Sequence, residues 1–269
     1  MCDSQIRAFV GHFCILYLFR FRFFCCCFVR VVLDMHDGSI GANRGIGLEI
    51  CKQLANLKPP NDYSSIYALC RKSNTELQAL TDTYKNIKII ENIELVGKEE
   101  ELSTLIKDTF GSGATPISLL VHNSGAYGPA EDIPKDVDST LYQSQTLEAI
   151  NPERMRYAYE INTIAPLYLT KLLLPNLQQS VTSATTTAKH TSDGSTKQQS
   201  GDTTTTTKVM IISSVMGSIK DNTSGGHYAY RASKAAINMV GKSLSVDLKD
   251  SNIAVGMSKF SLLFHLISF

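Results

Sequence analysis

Tyr230 and Lys234 stand four positions apart in Tyr230-Arg-Ala-Ser-Lys234, which puts a phenol and an ammonium one turn apart on the same face of a helix. A phenol is a weak acid near neutral pH, with an unperturbed pKa of roughly 10. A cation beside it favours phenolate and lowers that value, which would make the Tyr a usable general acid/base. Upstream, Ser213-Ser214 closes an apolar run, and a serine hydroxyl there could hold the oxygen that the Tyr protonates. Alternation along a strand favours Ser214 for that role and turns Ser213 to the other side. Alone, Y-x-x-x-K marks many ordinary helix surfaces. What precedes it gives it weight.

A second group is Gly41-Ala42-Asn43-Arg44-Gly45-Ile46-Gly47, followed by Leu48, Ile50, Cys51, Leu54 and Leu57 at helical spacing. Glycines so placed let a strand turn tightly into a helix and let backbone N–H groups approach a pyrophosphate at the helix N-terminus. The spacing is G-x-x-x-G-x-G, which alone also suits a glycine-rich turn in any α/β protein. Further along, Leu119-Leu120-Val121 runs into the polar turn His122-Asn123-Ser124-Gly125, and Asn162 lies in an apolar helical stretch.

The elements that must position these residues alternate. Short apolar runs at 66–70, 87–90, 117–121 and 209–212 predict strands, and 75–84, 98–109, 157–174 and 228–248 predict helices. Strands separated by helices imply a parallel sheet with helices on both faces. The last helix presents Ile237, Val240, Leu244 and Leu248 as an apolar stripe, and a sixth strand starts over 252–255. A chain of 269 residues buries one sizeable core, so a single α/β domain is expected.

The net charge of +1 supplies no electrostatic footprint for nucleic acid. Of the seven Cys, five precede residue 28, so they build no framework across the domain. Cys51 and Cys70 read as small core hydrophobes in a reducing, cytoplasmic setting. No C-x-x-C or His/Cys ligand spacing occurs, and no metal is expected.

With these motifs in this order, the chain resembles the short-chain dehydrogenase/reductase family, and within it the group around C-factor and the sniffer-type carbonyl reductases. The residues that carry the resemblance are the Gly41–Gly47 run, His122-Asn123-Ser124-Gly125, Asn162, Ser214, Gly226-His227-Tyr228-Ala229-Tyr230-Arg231-Ala232-Ser233-Lys234-Ala235-Ala236 and the segment 242–249. The resemblance implies a doubly wound parallel sheet of Rossmann type and a nicotinamide cofactor. Its pyrophosphate would lie near Gly41, Asn43, Arg44, Gly45, Ile46 and Gly47, with Asn123, Tyr230 and Lys234 also in contact. It implies hydride exchange with a small-molecule carbonyl, Tyr230 protonating the oxygen, Lys234 tuning Tyr230 and binding ribose, Ser214 holding the oxygen and Asn162 holding a water. It also implies a homo-oligomer. Strand two ends in Cys70-Arg71-Lys72 without an acidic residue. Arg71 and Arg44 together match a 2′-phosphate, so NADPH is expected over NADH.

Three regions depart from the family's pattern. The first-strand candidate, 29–33, lies farther from Gly41 than the family's spacing, and residues 1–28 read as an atypical apolar, Cys-rich extension. Within 8–33, Arg20, Arg22 and Arg30 count against a membrane span, each costing on the order of 2.5–3.5 kcal/mol at a span's centre. Residues 180–207 are rich in Thr and Ser and read as a disordered surface insertion. The family's domain is expected over 29–255, with 256–269 an apolar tail in place of its closing elements, so the sheet is expected to be incomplete at its C-terminus. From that follows an alternative function, a remnant impaired in turnover.

Overall fold

The structure, a computed structural model, describes residues 30–34, 45–57, 63–128, 145–190 and 207–259. Gly41, Asn43, Arg44, residues 1–28 and 191–206, and the tail from residue 260 lie outside the described residues. Among the described residues six strands form one sheet: β1 (Arg30–Asp34), β2 (Ser65–Leu69), β3 (Ile87–Ile90), β4 (Leu119–His122), β5 (Thr207–Ser213) and β6 (Ile253–Lys259). Their order is β3-β2-β1-β4-β5-β6, every pairing parallel. The order reverses between β1 and β4, and the crevice beyond the carboxyl ends of those strands is where a doubly wound sheet takes its ligand.

β1 occupies the centre of the sheet, Val31 opposite both Ile66 and Leu119. The end of the apolar stretch 8–33 is therefore a sheet strand. Among the described residues no helix is long and apolar enough to cross a membrane.

The strands sort their side chains by the two-residue period of the pleat. Ile66, Ala68, Leu119 and Val121 pack on one face with Cys51 and Leu77, supplied by α1 (Gly45–Ala55) and α2 (Thr75–Thr83). Tyr67, Leu69, Leu120, Val209 and Ile211 pack on the other, against α3 (Glu99–Phe110), α5 (Ala165–His190) and α6 (Tyr228–Asp247). Helix α5 meets that face with Ala165, Leu169, Leu173 and Leu177, a four-residue repeat that keeps one stripe inward. Cys51 is buried, and burial pushes its thiol up to about 12. It is a core thiol, held in the protonated and unreactive form.

Three expectations need correction. The helix expected over 157–174 is two helices, α4 (Pro152–Tyr159) and α5, joined by a π-helical turn, Glu160–Ile164. α4 begins early because Asn151 caps it, its side chain accepting from Arg154 N, with Pro152 in the first turn where a missing N–H costs nothing. Second, α5 runs on to His190, so the Thr/Ser-rich stretch from 180 is helical at its start. Extending an existing helix is far cheaper than nucleating one. Third, the sixth strand continues through residues 256–259, paired with Met210–Ser213, so the domain does not stop at 255. Gly256 leaves room for Met210, whose Cε would lie 3.3 Å from a Cβ at that position.

Candidate active site

The Tyr230–Lys234 pair stands at the start of α6. His227 precedes that helix in the left-handed region, with φ 52°, and turns the chain so that Tyr230 and Lys234 both point inward. Tyr230 is 6 % exposed and Lys234 3 %. Lys234 Nζ donates to Ile212 O at 3.1 Å and lies 5.8 Å from the centroid of the Tyr230 ring. A buried ammonium needs such a partner, and the carbonyl end of β5 supplies it.

Ser214 begins the 3₁₀ turn Val215–Gly217, its Oγ accepting from Met216 N at 3.1 Å, and it acts on the neighbouring Tyr230 phenol. Ser213 takes the other side, as expected, and donates to Asn238 Oδ1 at 2.6 Å. Asn238 Nδ2 in turn donates to Gly217 O at 3.3 Å, so one amide fastens both ends of the Ser214 turn to α6. Gly217 permits the closeness: a Cβ there would stand 2.7 Å from Lys234 O. Gly217→Ala is expected to push the turn from the helix, costing about 1–3 kcal/mol as overpacking does and separating Ser214 from Tyr230. A thermal melt and a turnover assay check this; no change in either would mean the turn has slack.

The Tyr230 phenol is held above its usual range, chiefly by burial, next by the neighbouring Tyr127, while Ser214 acts against both. The lowering expected from Lys234 is not found: burial and Tyr127 set the direction instead. Desolvation disfavours phenolate, and Lys234 gives its donor to Ile212 O. The phenol thus keeps its proton through neutral pH, the state required to donate one.

Asn162 lies in the π-helical turn, a rare element frequent at functional sites. Its Oδ1 accepts from Ala126 N at 2.7 Å, and its Nδ2 donates to Ala126 O at 2.8 Å and to Ser233 Oγ at 2.9 Å. Ser233 Oγ continues to Tyr230 O at 2.9 Å, and Thr163 Oγ1 donates to Ser233 O at 2.9 Å. Asn162 thereby clamps the chain leaving β4 to the turn of α6 that carries Tyr230. Gly125 passes close beside it, where a Cβ would lie 3.5 Å from Lys234 Nζ and 3.7 Å from Asn162 Oδ1.

Sequence reasoning missed four contributors: Tyr127, Gln145, Ser233 and Asn238. Ser233 sits inside the Tyr230–Lys234 motif and Asn238 one turn beyond it, so helical spacing could have found both. Tyr127 stacks on Tyr230 with centroids 3.9 Å apart and rings inclined by 16°. Gln145 Nε2 holds Tyr127 O at 2.8 Å. Nothing local signals either one.

The crevice end fits a dinucleotide. Gly45 opens α1 with φ +59° and nothing within 4 Å of where a Cβ would stand. Ile46 and Gly47 follow as buried residues of the first turn, which holds no acid. Asn123, at the end of β4, is buried, and neither Nδ2 nor Oδ1 has a hydrogen-bond partner among the described residues. An orphaned buried amide is costly, so a polar ligand group is its natural complement. Arg71 lies exposed just past β2. The carboxylate nearby, Glu91, accepts from Ser73 N at 2.7 Å, and that bonding holds it below its usual range. His122, beside Asn123, is tied at Nε2 to Thr170 Oγ1 at 2.8 Å.

A family model described as short chain dehydrogenase matches residues 39–259. C-signal of Myxococcus xanthus is 30% identical over 134 residues, 50% of this chain and 58% of its own length. The carbonyl reductase Sniffer of D. melanogaster shares 28% identity and a TM-score of 0.60 over 85% of this chain and 79% of its own. An NADPH-bound carbonyl reductase from chicken fatty liver shares 25% and 0.62 over 85% and 78%. The chain thus spans somewhat over half of C-signal and more than three quarters of the two reductases.

Proposed function

Because the chain belongs to the short-chain dehydrogenase family of oxidoreductases, we propose that it is an NADPH-dependent reductase of small-molecule carbonyls. One observation carries this reading: a buried Tyr230 phenol next to the Ser214 turn, with the buried Lys234 ammonium against the same ring. NADPH, when bound, supplies hydride to the carbonyl carbon. Ser214 Oγ–H orients the substrate oxygen, and Tyr230 gives that oxygen its proton as the C–O bond becomes single. Lys234 then opposes the negative charge left on Tyr230, which is why an ammonium is kept dry at that distance. Asn162 holds the β4 exit in place and would hold a water linking Lys234 to solvent.

For the cofactor, backbone N–H groups of Gly45, Ile46 and Gly47 would face the pyrophosphate, with Gly41, Asn43 and Arg44 completing that loop. Asn123 would take a ribose hydroxyl and Lys234 the nicotinamide ribose. Arg71 with Arg44 would meet a 2′-phosphate, supported by the NADPH in the chicken reductase. Binding titrations should therefore show NADPH tighter than NADH. Arg71→Ala should cut the preference by about tenfold or more, the worth of a charge-assisted hydrogen bond. Equal affinity, or a preference for NADH, overturns the assignment. NADPH consumption with added quinones and aldehydes tests the reaction itself.

A second reading, cofactor binding without turnover, is favoured by the Tyr127 ring stacked on that of Tyr230. Tight NADPH binding with no carbonyl reduced would select it.

A further inference from the structure

A carbonyl oxygen that is to be protonated must come within hydrogen-bond reach of the Tyr230 hydroxyl. In this structure the Tyr127 phenol already stands face to face with Tyr230, its ring inclined by only 16°. The Tyr127 ring lies flat on the Tyr230 ring at 3.9 Å, its hydroxyl meets Met216 Sδ at 3.8 Å, and its edge approaches His227 at 6.2 Å. The backbone beneath is fixed by the buried Gln145, bonded to Tyr127 O at 2.8 Å and to His227 N at 2.9 Å through its own carbonyl. The side chain is half-buried, so it can swing out while the backbone stays. The place it fills is flat, one face a phenol ring and the rim a thioether. Stacking and sulfur contacts reward a planar π-system and give nothing to a tetrahedral cage.

Resting on the carbonyl-reductase reading, we propose that Tyr127 is a specificity-determining residue: it holds the place of the substrate carbonyl and yields it to flat, conjugated carbonyls in preference to bulky saturated ketones. A planar substrate regains the stack that Tyr127 gives up. A saturated cage must displace the ring without that return.

Kinetics with 1,4-naphthoquinone and 2-adamantanone test this on the full chain. Wild type should favour the quinone. Tyr127→Ala should narrow the ratio of the two kcat/KM values by about five- to tenfold, the scale of one aromatic stack, chiefly through a lower KM for adamantanone. Tyr127→Phe, which keeps the ring, should retain the preference and lower KM for both. Equal changes for both substrates in Tyr127→Ala, or loss of the preference in Tyr127→Phe, overturn the proposal. Binding of 2-naphthol, followed by its own fluorescence, needs no turnover and should tighten in Tyr127→Phe; unchanged binding also overturns it. If no variant reduces a carbonyl and naphthol binding still tightens, the reductase reading falls and the role of Tyr127 stands.

Discussion

Tyr230→Phe is expected to lower carbonyl reduction by about 10²–10⁴-fold, the usual worth of a positioned general acid, while the fold holds. The ring keeps its burial and its stack on Tyr127. What is lost is the hydroxyl proposed to pass a proton to an oxygen held by Ser214. The raised phenol adds a signature in pH. Reduction, which needs the protonated form, should stay level through neutral pH and fall only on the alkaline side. Alcohol oxidation, which needs phenolate, should climb in the same direction. Turnover and melting of the two proteins side by side decide it. Equal turnover would remove Tyr230 from the chemistry.

Asn162→Ala should act on both stability and rate. It leaves the buried N–H and C=O of Ala126 without their side-chain partner, and each buried polar group so stranded costs about 1–3 kcal/mol. Against a total stability of roughly 5–15 kcal/mol, that is a large fraction. Turnover should fall further than the melt alone explains, because the β4 exit is no longer tied to the helix bearing Tyr230. Denaturant unfolding and kinetics of the variant check both parts. A variant that melts normally would mean that water replaces the amide at no cost.

Much of this arrangement was legible beforehand, for identifiable reasons. Tyr230, Lys234 and Ser214 follow from helix and strand periods, which also separated Ser214 from Ser213. The strands near Ile66, Ile87, Leu120 and Ile211 are short apolar runs bounded by polar residues, and their alternation with helices implies that they pair in parallel; their order in the sheet does not follow from it. The π-helical turn escaped notice because one extra residue per turn barely disturbs an apolar pattern. The true start of α4 was signalled by Asn151-Pro152 and went unread. The end of β6 was hidden because Gly256 and Ser258 have little strand preference; pairing with β5 decides it. Tyr127 was beyond local reasoning altogether, since its position depends on α6 and the 3₁₀ turn meeting the β4 exit.

The Asn162 clamp also bears on when the site comes into being. Its hydrogen bonds join positions 36 and 71 residues apart in the chain, and neither can form until loops of those lengths have closed. Helices α5 and α6 and the first strand pairs can appear while the clamp is still open, since local contacts precede distant ones. The loop entropy is lost before the amide returns anything. A nascent chain can therefore carry Tyr230 and Lys234 on a formed helix and still lack the neighbour that makes them a site.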